Sequence, residues 1–268
     1  MLLNSNYKKR IQTYISKVIL TLFILFPQVI SGQEYDVESE MEKGIAYFNN
    51  AQFNEAFTKF EKISEVLSQS EDQELLPIIY YNCQHCKYLS GDIRGSISYG
   101  EKAINLRPLP PDYQIYVLST LLKAYDELGF KDKCVSTIAK LDLLWKSFKV
   151  TDILETLVVY YYIHQDHSKV ISFENELQYL TNIDTPNDLD KITYTVHLNT
   201  IYMCMSGSFS ELKNYNKSIS YLEKCLETLT PYTQENKSAI YLDMADQYNK
   251  LGDKKSALKY QKLAIETE

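Results

Sequence analysis

Asn82-Cys83-Gln84-His85-Cys86 sets two cysteines three residues apart with a histidine between them. Such a group could be a redox dithiol, half of a zinc site or a haem attachment point. Each chemistry sets a condition. Haem attachment needs the histidine directly after the second cysteine, where this chain has Lys87. A redox dithiol belongs at a helix start, where the dipole lowers the thiol pKa. A zinc site needs two more ligands, and the chain has no second close cysteine pair. At about 100° per residue on a helix, Cys83 and Cys86 lie about 60° apart, but His85 lies about 160° from Cys83. The histidine therefore turns away from the thiols. These conditions favour core packing for both cysteines and leave His85 to be explained alone. His164 and His167 around Asp166, in YIHQDHSK, read as a solvated turn. There is no glycine-rich phosphate loop, serine nucleophile elbow or metalloprotease motif. No catalysis, cofactor or metal is expected.

Those residues need a frame. The chain has 268 residues, 45% hydrophobic and 24% charged, a balance that folds into a sizeable core. Only eight glycines and seven prolines argue against a chain of many tight β-turns. The N-terminus stands apart. Lys8, Lys9, Arg10 and Lys17 precede the apolar run Val18–Phe26, VILTLFILF, and the small residues Ser31 and Gly32 follow. This layout reads as a secretory signal peptide over 1–32. The run is shorter than the roughly 20 residues a membrane-spanning helix needs. The expected product, 33–268, is exported to a periplasmic or extracellular compartment and has no integral membrane span. Residues 1–32 hold four basic and no acidic residues, so their removal takes the net charge from −7 to −11. That excess of acid disfavours a nucleic-acid partner.

The organisation is repetitive. GDIRGSISYGEKAI from Gly91, GDKKSALKYQKLAI from Gly252, KNYNKSISYLEKCL from Lys213 and AQFNEAFTKFEKI from Ala51 share one pattern. LGFKDKCVSTIAKL from Leu128 is a fifth copy and QDHSKVISFENEL from Gln165 a degenerate sixth. A turn precedes a helix with small residues on one face. The turn positions are Ala51, Gly91, Gly129, Gln165, Lys213 and Gly252, at steps of 40, 38, 36, 48 and 39 residues. The long step points to an insert, best placed at Ser206–Leu212, SGSFSEL, whose start reads as a helix break.

With Gly44 and Tyr47 before Ala56 and Phe60, Ala124 and Tyr125 before Gly129, and Tyr241, Ala245 and Tyr248 before Gly252, residues 37–268 resemble the tetratricopeptide repeat family. The resemblance implies an all-α fold, a right-handed superhelical α-solenoid of about six helix pairs. Its 34-residue period is shorter than the steps seen here. It puts NCQHC on the first helix of the second pair, away from a helix start. Cys83 then takes a leucine position and Cys86, Cys134 and Cys225 take alanine positions, where a thiol packs as a small apolar group.

The same resemblance implies a concave groove lined by first helices. Carried over residue by residue, its wall is Met41, Ile45 and Phe48, then Tyr81, His85 and Tyr88, then Tyr116, and later Val159 and Tyr162. Clustered aromatic residues on a concave face read as a surface for a peptide or helix of a partner protein. Lys123, Asp126, Glu127, Asp152 and Glu155 make the next stretch charged and mainly acidic, which suits a basic or amphipathic partner. One subfamily grips C-terminal carboxylates with lysine, asparagine and arginine. Asn82 fits that set, but Met41, Ile45, Tyr116 and Thr120 do not. Two function classes follow: a non-enzymatic binding scaffold, or the extracytoplasmic sensing part of a signalling protein. No capping helix follows the last repeat, so its end could pair with a second copy.

Overall fold

The computed structural model describes residues 36–71, 73–106, 108–181, 188–230 and 233–267. The signal-peptide assignment lies outside the described residues. Thirteen α-helices and a 3-10 turn, Gln234–Asn236, are described, with no strand among the described residues. The chain divides into two units at Leu144.

The first unit holds α1 (Val37–Asn49), α2 (Phe53–Ser68), α3 (Leu76–Leu89), α4 (Ile93–Leu106), α5 (Pro111–Glu127) and most of α6 (Lys131–Phe148). Consecutive helices from α1 to α5 pack on one another, and α3 also packs on α5. Alternation of this kind is what stacked helix pairs require, since no pair buries its apolar stripe alone. The core between the first two pairs contains Phe48, Ala56, Phe60, Ile63, Ile79, Cys83 and Cys86. Gly44 is a glycine because a Cβ there would lie 2.7 Å from the Phe60 ring. Both thiols of NCQHC are free and fully buried, and burial pushes both well above the ordinary thiol range.

The second unit begins at Trp145 and holds α7 (Thr151–Ile163), α8 (His167–Ser172), α9 (Glu174–Thr181), α10 (Asp188–Glu211), α11 (Tyr215–Glu227), α12 (Lys237–Lys250) and α13 (Lys254–Ile265). Here α10 packs on α7, α8 and α11, α12 on α11, and α13 on α12. The degenerate sixth copy is a broken helix, divided at Phe173 into α8 and α9.

All six expected turn positions have left-handed backbone: φ is 59° at Ala51, 87° at Gly91, 72° at Gly129, 59° at Gln165, 61° at Lys213 and 81° at Gly252. Each ends its helix in the same way. The turn residue's N–H donates to the carbonyl three back, and the next N–H reaches the carbonyl five back. At Gly91 these are Gly91 N to Tyr88 O, 3.1 Å, and Asp92 N to Lys87 O, 2.9 Å. This double bond satisfies carbonyls that a helix end leaves open. At four turns the following residue then caps the next helix. Asp92, Asp166, Asn214 and Asp253 accept from the N–H groups of Gly95, Lys169, Lys217 and Ser256, each cap contributing about 1 kcal/mol.

The expected insert is absent. The helix α10 runs unbroken through Ser206–Glu211, and the turn follows at Lys213. The Ser-Gly-Ser run serves close packing. Ser206 is buried, its hydroxyl 2.9 Å from that of Ser218 and 3.0 Å from the Ser218 carbonyl on α11. A Cβ at Gly207 would lie 2.5 Å from the Tyr162 hydroxyl on α7. Extra length in that step goes into α10 itself, 24 residues long against 13 in α7.

Candidate protein-interaction site

The stripe of the first unit assembles from three first helices. Met41, Ile45 and Phe48 come from α1, Tyr81, His85 and Tyr88 from α3, and Tyr116 from α5. The i, i+4, i+7 spacing on α1 and α3 puts each set on one helix face. Phe48 meets His85 edge-on at 5.5 Å, His85 meets Tyr81 at 5.8 Å, and Tyr81 stacks on Tyr116 at 6.0 Å. Tyr113, which the sequence reading missed, adds an edge contact to Tyr81 at 5.9 Å. It lies three residues, about one turn, before Tyr116 on α5, a spacing that could have flagged it.

Burial divides these residues into a floor and a rim. Met41, Phe48 and Tyr81 are only 7%, 2% and 5% exposed. The expectation that Phe48 and Tyr81 offer free contact area is therefore corrected: their rings are already packed. Ile45, His85, Tyr88 and Tyr116 are partly exposed. Tyr88 is held in place, its hydroxyl donating to Glu127 Oε1 at 2.6 Å.

His85 is the unusual member. Both ring nitrogens are buried, with no hydrogen-bond partner among the described residues. Burial pushes its pKa down to about 3, and the Lys123 charge adds to the effect. The imidazole is neutral at physiological pH and behaves as an aromatic ring. The Asn82 side-chain N–H₂ is likewise buried without a partner.

Tyr162 belongs to the second unit. It is 37% exposed, edge-on to His167 at 5.9 Å, with its hydroxyl over Gly207. Val159 is partly buried on the same helix. The charged residues separate likewise. Lys123, Asp126 and Glu127 lie in the first unit, and Asp152 and Glu155 in the second. The latter two flank His197 of α10. Its Nε2 lies 3.4 Å from Asp152 Oδ1, and its Nδ1 contacts Glu155 Oε2. Sequence reasoning did not find His197, because its partners are more than 40 residues away. In YIHQDHSK, Gln165 forms the left-handed turn, Asp166 caps α8, and His167 Nδ1 lies 3.1 Å from Ser208 Oγ. No helix among the described residues is long and apolar enough to cross a membrane.

Comparison with known proteins agrees with this geometry. The family model described as tetratricopeptide repeat matches residues 202–228. That span runs through the supposed insert, the Lys213 turn and α11. Among curated proteins, no sequence matches. Among solved structures, BtubC (BKLC) from P. vanneervenii is similar at 13% identity. The match covers 87% of this chain and 91% of that one, with a TM-score of 0.59. The apo form of RapI is similar at 12% identity, covering 87% and 97%, with a TM-score of 0.58. A MamA protein follows at 19% identity, covering 72% and 91%, with a TM-score of 0.51. At these identities the likeness is one of fold.

Proposed function

We propose that this chain works as a non-enzymatic interaction module of tetratricopeptide-repeat type, whose first unit binds a segment of a partner protein. The observation that carries the reading is the division of the aromatic stripe. Buried Phe48 and Tyr81 form a rigid floor, and the partly exposed Ile45, Tyr88 and Tyr116 form a rim above it. Rigid aromatic groups are the usual anchors of a protein interface, because they lose little rotamer freedom on binding. The occupant is a short helix or extended segment that lays apolar side chains along this rim. Glu127 at its edge, already engaged with Tyr88, favours a partner with basic residues flanking the apolar ones. Tyr162 of the second unit is a separate, lesser contact in this reading. Export of the module rests on the composition of residues 1–32.

Affinity capture from an envelope extract, with the chain as bait, tests the reading. A Tyr88→Ala/Tyr116→Ala variant runs beside it, since both residues lie on the rim and their loss spares the floor. A partner retained by the parent and lost by the variant supports the rim as the binding surface. Equal capture by both contradicts it.

A further inference from the structure

The floor of the first unit holds polar atoms that the chain itself does not pair. His85 Nδ1, His85 Nε2 and Asn82 Nδ2 are buried, with no hydrogen-bond partner among the described residues. The two residues lie three apart on α3, so their side chains are neighbours on the helix surface. A buried polar atom left unpaired costs free energy, and the second unit shows the ordinary remedy. Asn199 is 4% exposed, against 5% for Asn82. Its Nδ2 donates to the Cys225 carbonyl at 2.9 Å and to Thr228 Oγ1 at 3.0 Å. Asn82 has no such acceptor among the described residues.

The surroundings narrow the chemistry that would pair these atoms. His85 lies between the Phe48 and Tyr81 rings, so a charged group would lose its water against apolar surface. The Lys123 charge also acts on His85, which further disfavours a lysine or arginine. A neutral imidazole has one donating and one accepting nitrogen, and the Asn82 amide adds donors. A carboxylate only accepts and an ammonium only donates, so either leaves part of the set unpaired. A carboxamide carries an acceptor and donors side by side and serves both residues. Depth decides where it comes from. The atoms lie beneath the rim, so a main chain resting on Ile45, Tyr88 and Tyr116 stays above them, while a side chain passes between. The rotamer changes that open such a path are common at interfaces.

We infer that a partner segment on the first unit sends one side-chain carboxamide, of asparagine or glutamine, down through the rim to pair with His85 and Asn82, a step that rests on the rim being the binding surface. The apolar residues of the segment supply contact area. The carboxamide fixes its register and rejects segments with an apolar or charged residue at that point.

The test uses the whole chain and peptides of one design, leucines with flanking lysines, that differ at one position: glutamine, leucine or glutamate. The variable position is moved along the peptide in turn, and binding is followed by fluorescence anisotropy. The best glutamine peptide should bind about tenfold tighter than its leucine and glutamate counterparts, as two neutral hydrogen bonds allow. His85→Phe and Asn82→Leu should each remove most of that preference and leave the affinity of the leucine peptide unchanged. The ring-nitrogen NMR signal that His85→Phe abolishes should shift with the glutamine peptide and not with the leucine one. The peptide comparison is made on the parent chain, so it holds even where a variant fails to fold. Equal binding of the glutamine and leucine peptides, both weakened by Tyr88→Ala/Tyr116→Ala, overturns the carboxamide and keeps the rim. No binding of the glutamine peptide, tighter binding of the glutamate one, or a glutamine preference that survives both substitutions also overturns it. Binding that Tyr88→Ala/Tyr116→Ala leaves unchanged means that the rim itself has failed, and the carboxamide with it.

Discussion

Two histidines, one in each unit, show how far environment decides what a residue does. His85 lies between Phe48 and Tyr81, with both nitrogens buried and without hydrogen-bond partners. His197 lies between Asp152 and Glu155, whose carboxylates tie α7 to α10 through its ring nitrogens. The first acts as an apolar ring and the second as a polar link between two helices. A region built on aromatic packing should be sensitive to volume and to acid. A region built on a histidine between carboxylates should be sensitive to loss of the link itself.

The largest effect should come from the floor of the first unit. Phe48→Ala should lower unfolding free energy by about 3–4 kcal/mol, because the ring is fully enclosed and its loss leaves a cavity. Tyr162→Ala, at a partly exposed ring in the second unit, should cost about 1 kcal/mol. Urea denaturation of both variants measures the contrast, and similar losses would break it.

Next come the histidines. His197→Ala removes the contacts to Asp152 and Glu155 and leaves a gap between α10 and α7, and should cost about 2–3 kcal/mol. His85→Phe keeps the ring contacts and removes the unpaired nitrogens. Its signature is pH dependence. The folded pKa of His85 is pushed down to about 3, below the ordinary 6.5. The unfolded chain therefore takes up a proton that the folded chain refuses, so stability falls as pH drops from about 6.5 towards 3. The His85 share should reach about 2 kcal/mol near pH 5. Urea midpoints at neutral pH and near pH 5 should show a smaller acid loss in His85→Phe than in the parent. The same loss in both would remove His85 from the account.

The smallest effect sharpens the repeat geometry. Gln165→Gly relieves a left-handed residue that carries a Cβ, and should raise stability by about 0.5–1 kcal/mol. A loss instead would mean that the Gln165 side chain contributes more than its backbone costs.

The repeat was legible in the sequence because its signal is local. A left-handed turn, then a capping Asp or Asn, then small residues at helical spacing can be read at Gly91 and Gly252. The turn geometry held even at Ala51, Gln165 and Lys213, where the register rather than the residue type marked the position. The packing role of Cys83 and Cys86 was legible for the same reason, since helical angles separated them from His85. What failed was long-range. Ser206-Gly207-Ser208 reads locally as a helix break, yet Ser218 and Tyr162 need small residues there, and tertiary contact outweighed propensity. Spacing placed Phe48 and Tyr81 on the right stripe, but it could not show that neighbouring rings already cover them. His197 was invisible because nothing near it in the sequence announces a partner on α7.

The central claim is that a partner rests on the rim formed by Ile45, Tyr88 and Tyr116. The direct measurement is the affinity of the captured segment for the parent chain and for Tyr88→Ala/Tyr116→Ala, with thermal unfolding recorded for both. The account predicts at least a roughly tenfold loss of affinity, as two interface aromatics warrant, with the fold retained. Unchanged affinity in a folded variant would contradict it.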